Sequence, residues 1–260
     1  LRKNIEGALN LLEQQTYIQR NGDVYEYLTD EEKDIEEEIK HTDIDTSEVL
    51  KDLGEVLFSS IIRDPKIRYE ETKQDYRFTK KLDDRIIGKE HELAIHFITP
   101  FSENVERIEV LQGHSFDRAE LMIVFPPDAR LVEDLKLYKR TEKYIRINRS
   151  AKQTDNVLTI LDSKARQNIE RFKLVQQRVG ELIGRARIFV GGVEIEVSGE
   201  DPKSRIIKGF NELVVRTYPH LRMLGNATYN DNDIKRHIEF SKNAALDSDL
   251  TESEQEVFAT

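Results

Sequence analysis

The longest uninterrupted helical pattern of the chain runs from Ala129 to Arg187. It follows an apolar, strand-like run, Leu121–Phe125, that stops at two prolines, and it precedes the turn signal Gly191–Gly192. No glycine or proline occurs in this stretch before Gly180, so no helix breaker interrupts most of it. The polar run Asn148–Asp155 is the predicted corner, and the pattern therefore predicts a long hairpin of two antiparallel helices.

Both arms of this hairpin carry apolar residues at helical spacing. The apolar positions of the first arm are Leu131, Leu135, Tyr138, Tyr144 and Ile145, and those of the second approximate an a/d seam of Leu161, Ala165, Phe172, Val175, Val179 and Leu182. The opposite side of the first arm carries five cations, Lys136, Lys139, Arg140, Lys143 and Arg146. Because the apolar side must be buried, we expect this basic face to look outward.

The charge distribution gives the basic face a possible meaning. The chain has a net charge of −10, yet residues 130–187 hold 15 Lys and Arg against 7 Asp and Glu, a local charge of +8 that leaves −18 for the rest. A basic arm on an acidic body is typical of contact with nucleic acid or with an acidic partner. The alternative is an ordinary solvated helix face, for which Lys and Arg are common.

The first part of the chain, residues 1–45, predicts a helix, a hairpin and an acidic helix. Ile5, Ala8, Leu9 and Leu12 form one apolar face, and Asn21–Gly22 is a strong signal for a tight hairpin turn. A helix followed at once by a two-stranded wing resembles the end of a winged helix. Thr29 and Glu32 form a capping box that begins the acidic helix.

Residues 46–128 predict a small mixed sheet with flanking helices. A helix capped at Asp45 or Thr46 should end before Pro65, and a short helix is predicted at Glu103–Leu111. The strands are predicted at Ile67–Tyr69, Tyr76–Leu82, Leu93–Thr99 and Leu121–Phe125. The last two are nearly continuous apolar runs, which indicates central strands covered on both faces.

Three further segments complete the predicted layout: the long hairpin at 129–187, a β-hairpin plus helix at 188–225, and a polar tail or the start of a further domain at 226–260. In the β-hairpin, Val190 should face Val193 and Ile188 should face Ile195 on a buried side, with Arg187 opposite Glu196. Asp201 followed by Pro202 should begin the next helix. The predicted class is α+β, mostly helical, with a small mixed sheet and a partial winged helix at the N-terminus.

Most kinds of chemistry leave no pattern in this sequence. The absence of cysteine excludes zinc ribbons, disulfides and thiol catalysis. There is no phosphate-binding loop and no dinucleotide fingerprint. His91 and His96 are five residues apart, which places the imidazoles on opposite faces of a strand, so we expect core or edge histidines rather than metal ligands. No run is long enough to span a membrane, and we expect a cytoplasmic protein.

Five strings, taken in order, resemble a known family. They are IIRDPKIRYEETKQDYRFTKKLDD, LAIHFITPF, LKLYKRTEKYIRIN, KARQNIERFKLV and VVRTYPHLRML. Together they resemble the middle part of the BREX-system P-loop proteins, called BrxC or PglY, which are large predicted ATPases of phage-resistance islands. In that family the phosphate loop precedes the matched region, so the resemblance implies ATP and Mg only in an upstream part. It also implies three partners: a DNA methyltransferase, a phosphatase-like protein and double-stranded DNA.

These observations lead to a functional expectation. The chain begins at Leu1 and its first methionine is Met122, so we expect a piece of a longer protein. We expect a non-catalytic scaffold or coupling region of a phage-defence ATPase, with no cofactor of its own. The alternatives are a nucleic-acid-binding module that uses the basic face, and an enzyme with scattered carboxylates, which no constellation in the sequence supports.

Overall fold

The computed structural model describes residues 2–21, 24–116, 118–199, 201–221 and 231–244 of the 260-residue chain. Gly22 of the predicted hairpin turn, residues 222–225, and most of the predicted tail at 226–260 lie outside the described residues. The helices are α1 Arg2–Gln14, α2 Asp30–His41, α3 Thr46–Glu55, α4 Ile108–Ser115, α5 Ala129–Arg149, α6 Asp155–Arg185, α7 Pro202–Thr217 and α8 Asp231–Ala244. None of these described helices is long and apolar enough to cross a membrane.

The strands form a two-stranded sheet and a larger mixed sheet, as an α+β fold requires. The strands are β1 Ile18–Asn21, β2 Val24–Tyr27, β3 Lys66–Arg68, β4 Asp75–Leu82, β5 Arg85–Ile87, β6 Leu93–Ile98, β7 Glu120–Val124, β8 Arg187–Val190 and β9 Val193–Ile195. β1 pairs with β2, and the larger sheet has the order β3-β4-β6-β7-β8-β9 with β5 on the edge of β4. β4, β6 and β7 are parallel, whereas the other pairs are antiparallel. The predicted α+β class is confirmed.

One face of the large sheet carries the main core. Ile95 of β6 lies beside Leu121 of β7, which lies beside Val190 of β8, so their side chains share a face. Helices α3, α5, α6 and α7 cover this face with residues such as Leu131 and Phe210, both fully buried. Gly209 of α7 lies so close to the sheet that an added Cβ would be 2.9 Å from Leu121 Cδ1.

The other face of the sheet is covered only in part. Leu111 of α4 packs there against Ile98, Met122, Val124 and Phe189 in a small, separate apolar cluster. α4 has only eight residues, so it does not reach across to the β4 side. The remaining area of this face carries polar side chains, which are described below.

The long helices α5 and α6 lie antiparallel. Arg178 near the end of α6 makes two hydrogen bonds of 2.9 Å to Asp128, the residue that caps the start of α5. In the middle, the rings of Tyr138 and Phe172 stack with centroids 4.5 Å apart. A π-helical turn, Val56–Ile61, continues α3 toward Pro65. In this turn the backbone of Ile62 bonds back to Leu57.

Helix starts follow the capping signals in the sequence. The Thr29 hydroxyl accepts from the Glu32 amide at 3.3 Å, and the Glu32 carboxylate accepts from the Thr29 amide at 2.9 Å, which is the predicted capping box. Asp45 caps α3 through the Ser47 amide at 2.7 Å. Asp201 caps α7 through the Ser204 amide at 2.8 Å, with Pro202 next to it.

Helix α4 was predicted too early in the chain. It begins at Ile108 rather than Glu103 and ends at Ser115. The preceding segment forms turns instead, in which the Thr99 hydroxyl accepts from the Phe101 amide and the Ser102 hydroxyl accepts from the Asn104 amide. Such local side-chain bonds compete with the helical ladder, and they delay its start.

The β8–β9 hairpin has the predicted register but not all of the predicted contacts. Val190 pairs with Val193 and Ile188 with Ile195. Val193, however, is 52% exposed because β9 is the edge strand and no element among the described residues covers it there. Arg187 makes its ion pair with Glu194 at 2.6 Å instead of Glu196, since β9 ends at Ile195 and the diagonal partner remains within reach.

The packing of the main core gives a first prediction. Phe97 is fully buried, and its ring lies 5.4 Å from that of Phe58 and 6.0 Å from that of Phe125. Phe97→Ala should therefore lower the free energy of unfolding by about 3–5 kcal/mol. Urea denaturation followed by circular dichroism measures it. Phe116→Ala, at a side chain that is 70% exposed, is the control and should change the value by less than about 0.5 kcal/mol. Equal effects at the two sites would contradict this account of the core.

Candidate functional site

The five predicted cations on α5 do not share one environment. Arg146 is exposed, whereas Lys136, Lys139, Arg140 and Lys143 are half-buried. The expectation that the whole face looks outward is therefore wrong. The physical reason is that α5 is covered on several sides, because α2, α3 and α6 all pack against it. Thr141 is buried in addition to Leu131, Leu135, Tyr144 and Ile145 of the predicted apolar stripe.

Lys139 is committed to a contact inside the protein. Its ammonium lies 3.0 Å from Asp52 of α3 and 2.8 Å from Glu142, and its side chain is only 15% exposed. Burial by itself lowers the pKa of Lys139, but hydrogen bonds from its ammonium to Glu142 and Asp52 outweigh this effect and raise the pKa. The cation of Lys139 is therefore held by carboxylates of its own chain.

Two more contacts join α5 to acidic segments of the same chain. The Lys143 ammonium donates to the backbone carbonyl of Asp43 at 2.7 Å, in the loop between α2 and α3. The Tyr144 hydroxyl donates to Glu38 of α2 at 2.6 Å, and burial together with this carboxylate raises the pKa of Tyr144. α5 is therefore joined by polar contacts to the acidic helix α2, whose sequence is DEEKDIEEEIKH, and to the loop that follows it.

The other three cations have no such partner among the described side chains. Lys136 and Arg146 make no ion pair within the described residues, and the buried Nε of Arg140 has no hydrogen-bond partner there. These three residues are the part of the predicted basic face that remains open to an external anion. Whether this face binds nucleic acid or a protein stays a prediction.

A second group of ionisable side chains lies on the partly covered face of the sheet. Lys81, His96 and Glu120 come from the adjacent parallel strands β4, β6 and β7, and the strand register places them on one face. The Lys81 ammonium donates to Glu120 Oε2 at 2.8 Å. Glu120 Oε1 lies 3.6 Å from His96 Nδ1, which is too long for a hydrogen bond. We call these three residues the sheet cluster.

The sheet cluster continues to the end of β4. His96 Nε2 lies 2.6 Å from the backbone carbonyl of Asp83, so this nitrogen carries a proton. The Asp83 carboxylate accepts from the amide and the hydroxyl of Thr99 at 2.7 and 2.9 Å. Asp83 has a positive φ of 49° and lies in the two-residue turn that joins β4 to β5. His96 is therefore a hydrogen-bonded core histidine, as expected.

The pKa values of the two carboxyl groups, Asp83 and Glu120, are shifted in opposite directions. For Asp83, burial raises the pKa to about 6, because the Thr99 bonds and the nearby His96 only partly offset it. For Glu120, burial also favours the neutral form, but the contacts with His96 and Lys81 outweigh it and lower the pKa to about 2. At neutral pH the sheet cluster thus holds a carboxylate anion that is 1% exposed between two basic side chains.

A cavity of about 250 Å³ opens beside the sheet cluster, lined by residues that include Thr79, Lys81, His91, Arg118 and Glu120. The Thr79 hydroxyl donates to the carbonyl of His91 and accepts from its amide, which fixes the loop before β6. Within the described part of the chain, no group of three or more His, Asp or Glu side chains is placed to hold a metal ion. The sheet cluster therefore holds a buried carboxylate between two basic side chains, and its geometry indicates no reaction.

The sequence contained one signal for the sheet cluster. Glu120 directly precedes the apolar run LMIVF, and His96 interrupts the apolar run LAIHFI. Polar residues inside central strands need buried partners, but the sequence does not tell which strands are neighbours. Lys81 was therefore not recognised as the partner of Glu120, which is 39 residues away in the chain.

Comparison with protein families gives one match. Residues 42–213 match the family described as "BREX ATP-binding protein BrxC 4th domain with six-stranded beta sheet". The main path of the larger sheet, from β3 to β9, contains six strands, and β5 is an addition at its edge. The matched range begins directly after α2 and runs from α3 into α7, so it excludes α1, β1, β2 and α2. The chain matches no solved structure.

The pKa of Glu120 predicts a pH dependence of stability. Because the folded value of about 2 lies below the ordinary value of 4.5, ionised Glu120 stabilises the fold above pH 4.5, and this stabilisation is lost as the pH falls toward 2. Glu120→Gln should lower the free energy of unfolding by roughly 2–3 kcal/mol at pH 6, and the difference from wild type should vanish near pH 2. Denaturant titrations at several pH values measure it.

The titration of Asp83 does not disturb this comparison of wild type with the Glu120 variant. Asp83 has the opposite sign, since its folded pKa is raised and its contribution is lost as the pH rises through about 6. It is present in wild type and variant alike, so it cancels in the difference. Glu106→Gln, at an exposed side chain, is the matched control. A difference for Glu120→Gln that does not depend on pH would rule out the charge of Glu120 as its cause.

Proposed function

The chain belongs to the family of the fourth domain of the BREX ATP-binding protein BrxC, and we propose that it is a non-catalytic coupling region of this phage-defence protein. In this role it transmits movement between an ATPase part elsewhere in the protein and the partners of the system. The observation that supports the proposal is helix α6, a single continuous element of 31 residues that is anchored at both ends.

The two ends of α6 lie in different environments. Val175, Val179, Leu182 and Ile183 in its second half are buried in the main core on the sheet. Ile160 and Leu161 in its first half pack with α2 and α5 in a second cluster that contains no strand residue. At about 1.5 Å per residue, α6 spans roughly 46 Å. A displacement at one end is therefore carried to the other by a rigid rod.

The proposal places ATP and Mg in an upstream part of the full protein and assigns no cofactor to these residues. The family resemblance supplies the partners: a methyltransferase, a phosphatase-like subunit and double-stranded DNA. The contacts of α5 with α2, α3 and the loop between them support a scaffold, because Lys139, Lys143 and Tyr144 are used inside the chain. No catalytic step is assigned to the sheet cluster, since Glu120 and the neighbouring Asp83 both accept hydrogen bonds from groups of the protein itself.

Making α6 more flexible between its two packed ends tests the coupling role. Ile169 and Lys173 are exposed, and replacing both by glycine should cost about 2 kcal/mol in stability while the ends stay packed. In the full-length protein, Ile169→Gly with Lys173→Gly should lose phage protection, measured by plating efficiency, because a flexible rod transmits less movement. The matched pair Ile169→Ala with Lys173→Ala keeps the helix stiff and should protect like wild type.

A second control separates stiffness from stability. Ser204→Gly with Glu212→Gly introduces the same number of glycines, two, at exposed positions of α7, a helix that packs on the main core. It should lower stability by a similar amount and leave protection intact. Protection by the α6 glycine variant at the wild-type level would refute the coupling role.

The second candidate function is binding of duplex DNA by the open cations, favoured by Lys136, Arg140 and Arg146 having no carboxylate partner among the described residues. Neutralising all three to glutamine should flatten the dependence of log affinity on log salt by about three units, if each contacts one phosphate. Fluorescence anisotropy with a DNA duplex measures this salt dependence.

The control variant neutralises three exposed cations of the sheet region, Lys66, Arg77 and Lys89. A wild-type slope near zero, or equal slopes for both variants, would exclude this use of the face.

A further inference from the structure

Polar contacts attach the N-terminal unit, Arg2–Tyr27, to α2 and α6. None of its described apolar residues belongs to any of the three apolar clusters. Its buried residues among those described are Thr16, Ile18 and Gln19. Helix α1 leaves Ile5 and Leu11 each 53% exposed. The hydrophobic effect therefore contributes little to holding this unit in place.

A buried polar contact holds it instead. The ammonium of Lys164, in the first half of α6, is 3% exposed and donates to Glu36 of α2 and to Gln19 of β1. Gln19 in turn donates from Nε2 to Gln167 of α6 at 2.6 Å. We call these four residues the polar latch. It is the point at which β1, α2 and α6 meet.

Lys40 adds a smaller contact at the end of α1. Its ammonium donates to the carbonyl of Glu13 and the hydroxyl of Thr16, at 3.2 and 3.0 Å. Beside these contacts, a cavity of about 380 Å³ separates the N-terminal unit from the long helices α5 and α6. Its lining is rich in charge and includes Glu13 and Arg20 from the unit and Asp134 and Arg171 from the long helices. A gap lined in this way accepts water readily.

We propose that the polar latch is a releasable joint: the N-terminal unit detaches from α6 and swings on the short link at residues 28–29, while the sheet and the long helices stay packed. Opening replaces protein hydrogen bonds by water and rehydrates a buried ion pair, so it costs far less than opening an apolar contact of the same area. Since the family match begins at residue 42, the moving unit precedes the matched domain. The purpose of the joint rests on the proposed coupling function, but its existence does not.

Variants of the latch give opposite predictions. Lys164→Met leaves Glu36 buried without its cation and should release the unit. Gln19→Leu, Glu36→Leu and Lys164→Met together replace the ion pair and its partner on the N-terminal unit by apolar side chains of similar size. Such a change is often neutral or stabilising, and it should lock the unit. Gln19→Ala removes the contact from the side of the unit without leaving a lone buried charge, so it remains informative if Lys164→Met does not fold. Lys173→Met, at an exposed lysine of the same helix, is the control.

The measurement is the distance between α1 and α6. The chain has no cysteine, so Asn4→Cys and Gln177→Cys, both at exposed positions, can carry spin labels without interference. In pulsed electron resonance, wild type, the control and the locked variant should show one narrow distance distribution. Lys164→Met and Gln19→Ala should add a longer, broad component, with near-ultraviolet circular dichroism of the core unchanged. The same narrow distribution in all variants, or loss of the core signal together with the broad component in both single variants, would overturn the proposal.

The coupling function is tested separately with the locked variant in the full-length protein. If the joint serves coupling, the locked variant with Gln19→Leu, Glu36→Leu and Lys164→Met should lose phage protection although the protein is folded and the distance is narrow. Wild-type protection with a locked distance would show that the joint exists without the proposed purpose. The two ideas therefore fail on different readouts.

Discussion

The need to cover the central strands β6 and β7 on both faces determines most of this architecture. Both strands are buried along their whole length, and parallel neighbours of this kind lie between layers. The long helices and α7 form one layer, whereas the short helix α4 covers only part of the other face. Lys81, His96 and Glu120 occupy the uncovered part. Their charges compensate one another, so the strands remain buried there without an apolar partner.

The same requirement explains the two-part character of α6. Its second half must be apolar because it lies on the sheet, and Val179 and Ile183 are fully buried there. Its first half extends into a cluster built only from helices, with α2 and α5 as neighbours. In that half the buried positions include Lys164 and Asn168, which bind polar partners. One helix thus has an apolar contact with the sheet in its second half and polar contacts, through Lys164 and Asn168, in its first half.

Local sequence patterns predicted most helices and strands, but they did not predict which distant residues and strands pair. The caps at Thr29, Asp45 and Asp201 depend on neighbouring residues, so their sequences suffice. The order of the strands does not follow from local pattern, and neither the Lys81–Glu120 pair nor the Lys164–Glu36 pair could be read from spacing. The helical wheel of α5 failed for a related reason. It assumes one buried side, whereas Lys139 lies where a third helix, α3, approaches.

The charge imbalance of the chain acquires a different meaning once α2 is placed. In sequence, a basic stretch within an acidic chain suggested an external anion. In the structure, α2, the loop after it and α3 all lie against that stretch. Tyr144 contacts Glu38 of α2, Lys143 contacts the backbone carbonyl of Asp43 in the loop, and Lys139 contacts Asp52 of α3. The buried pair of Lys139 and Asp52 fixes the orientation of the packed helices more than it adds stability, because desolvation offsets much of its attraction. The polar side chains of α5 therefore serve first to set where α2, the loop and α3 lie. Because α2 also carries Glu36, it sets the geometry of the contact that holds the N-terminal unit. The Tyr144–Glu38 hydrogen bond and the buried cation of α6 thus both act on α2, and its position depends on both.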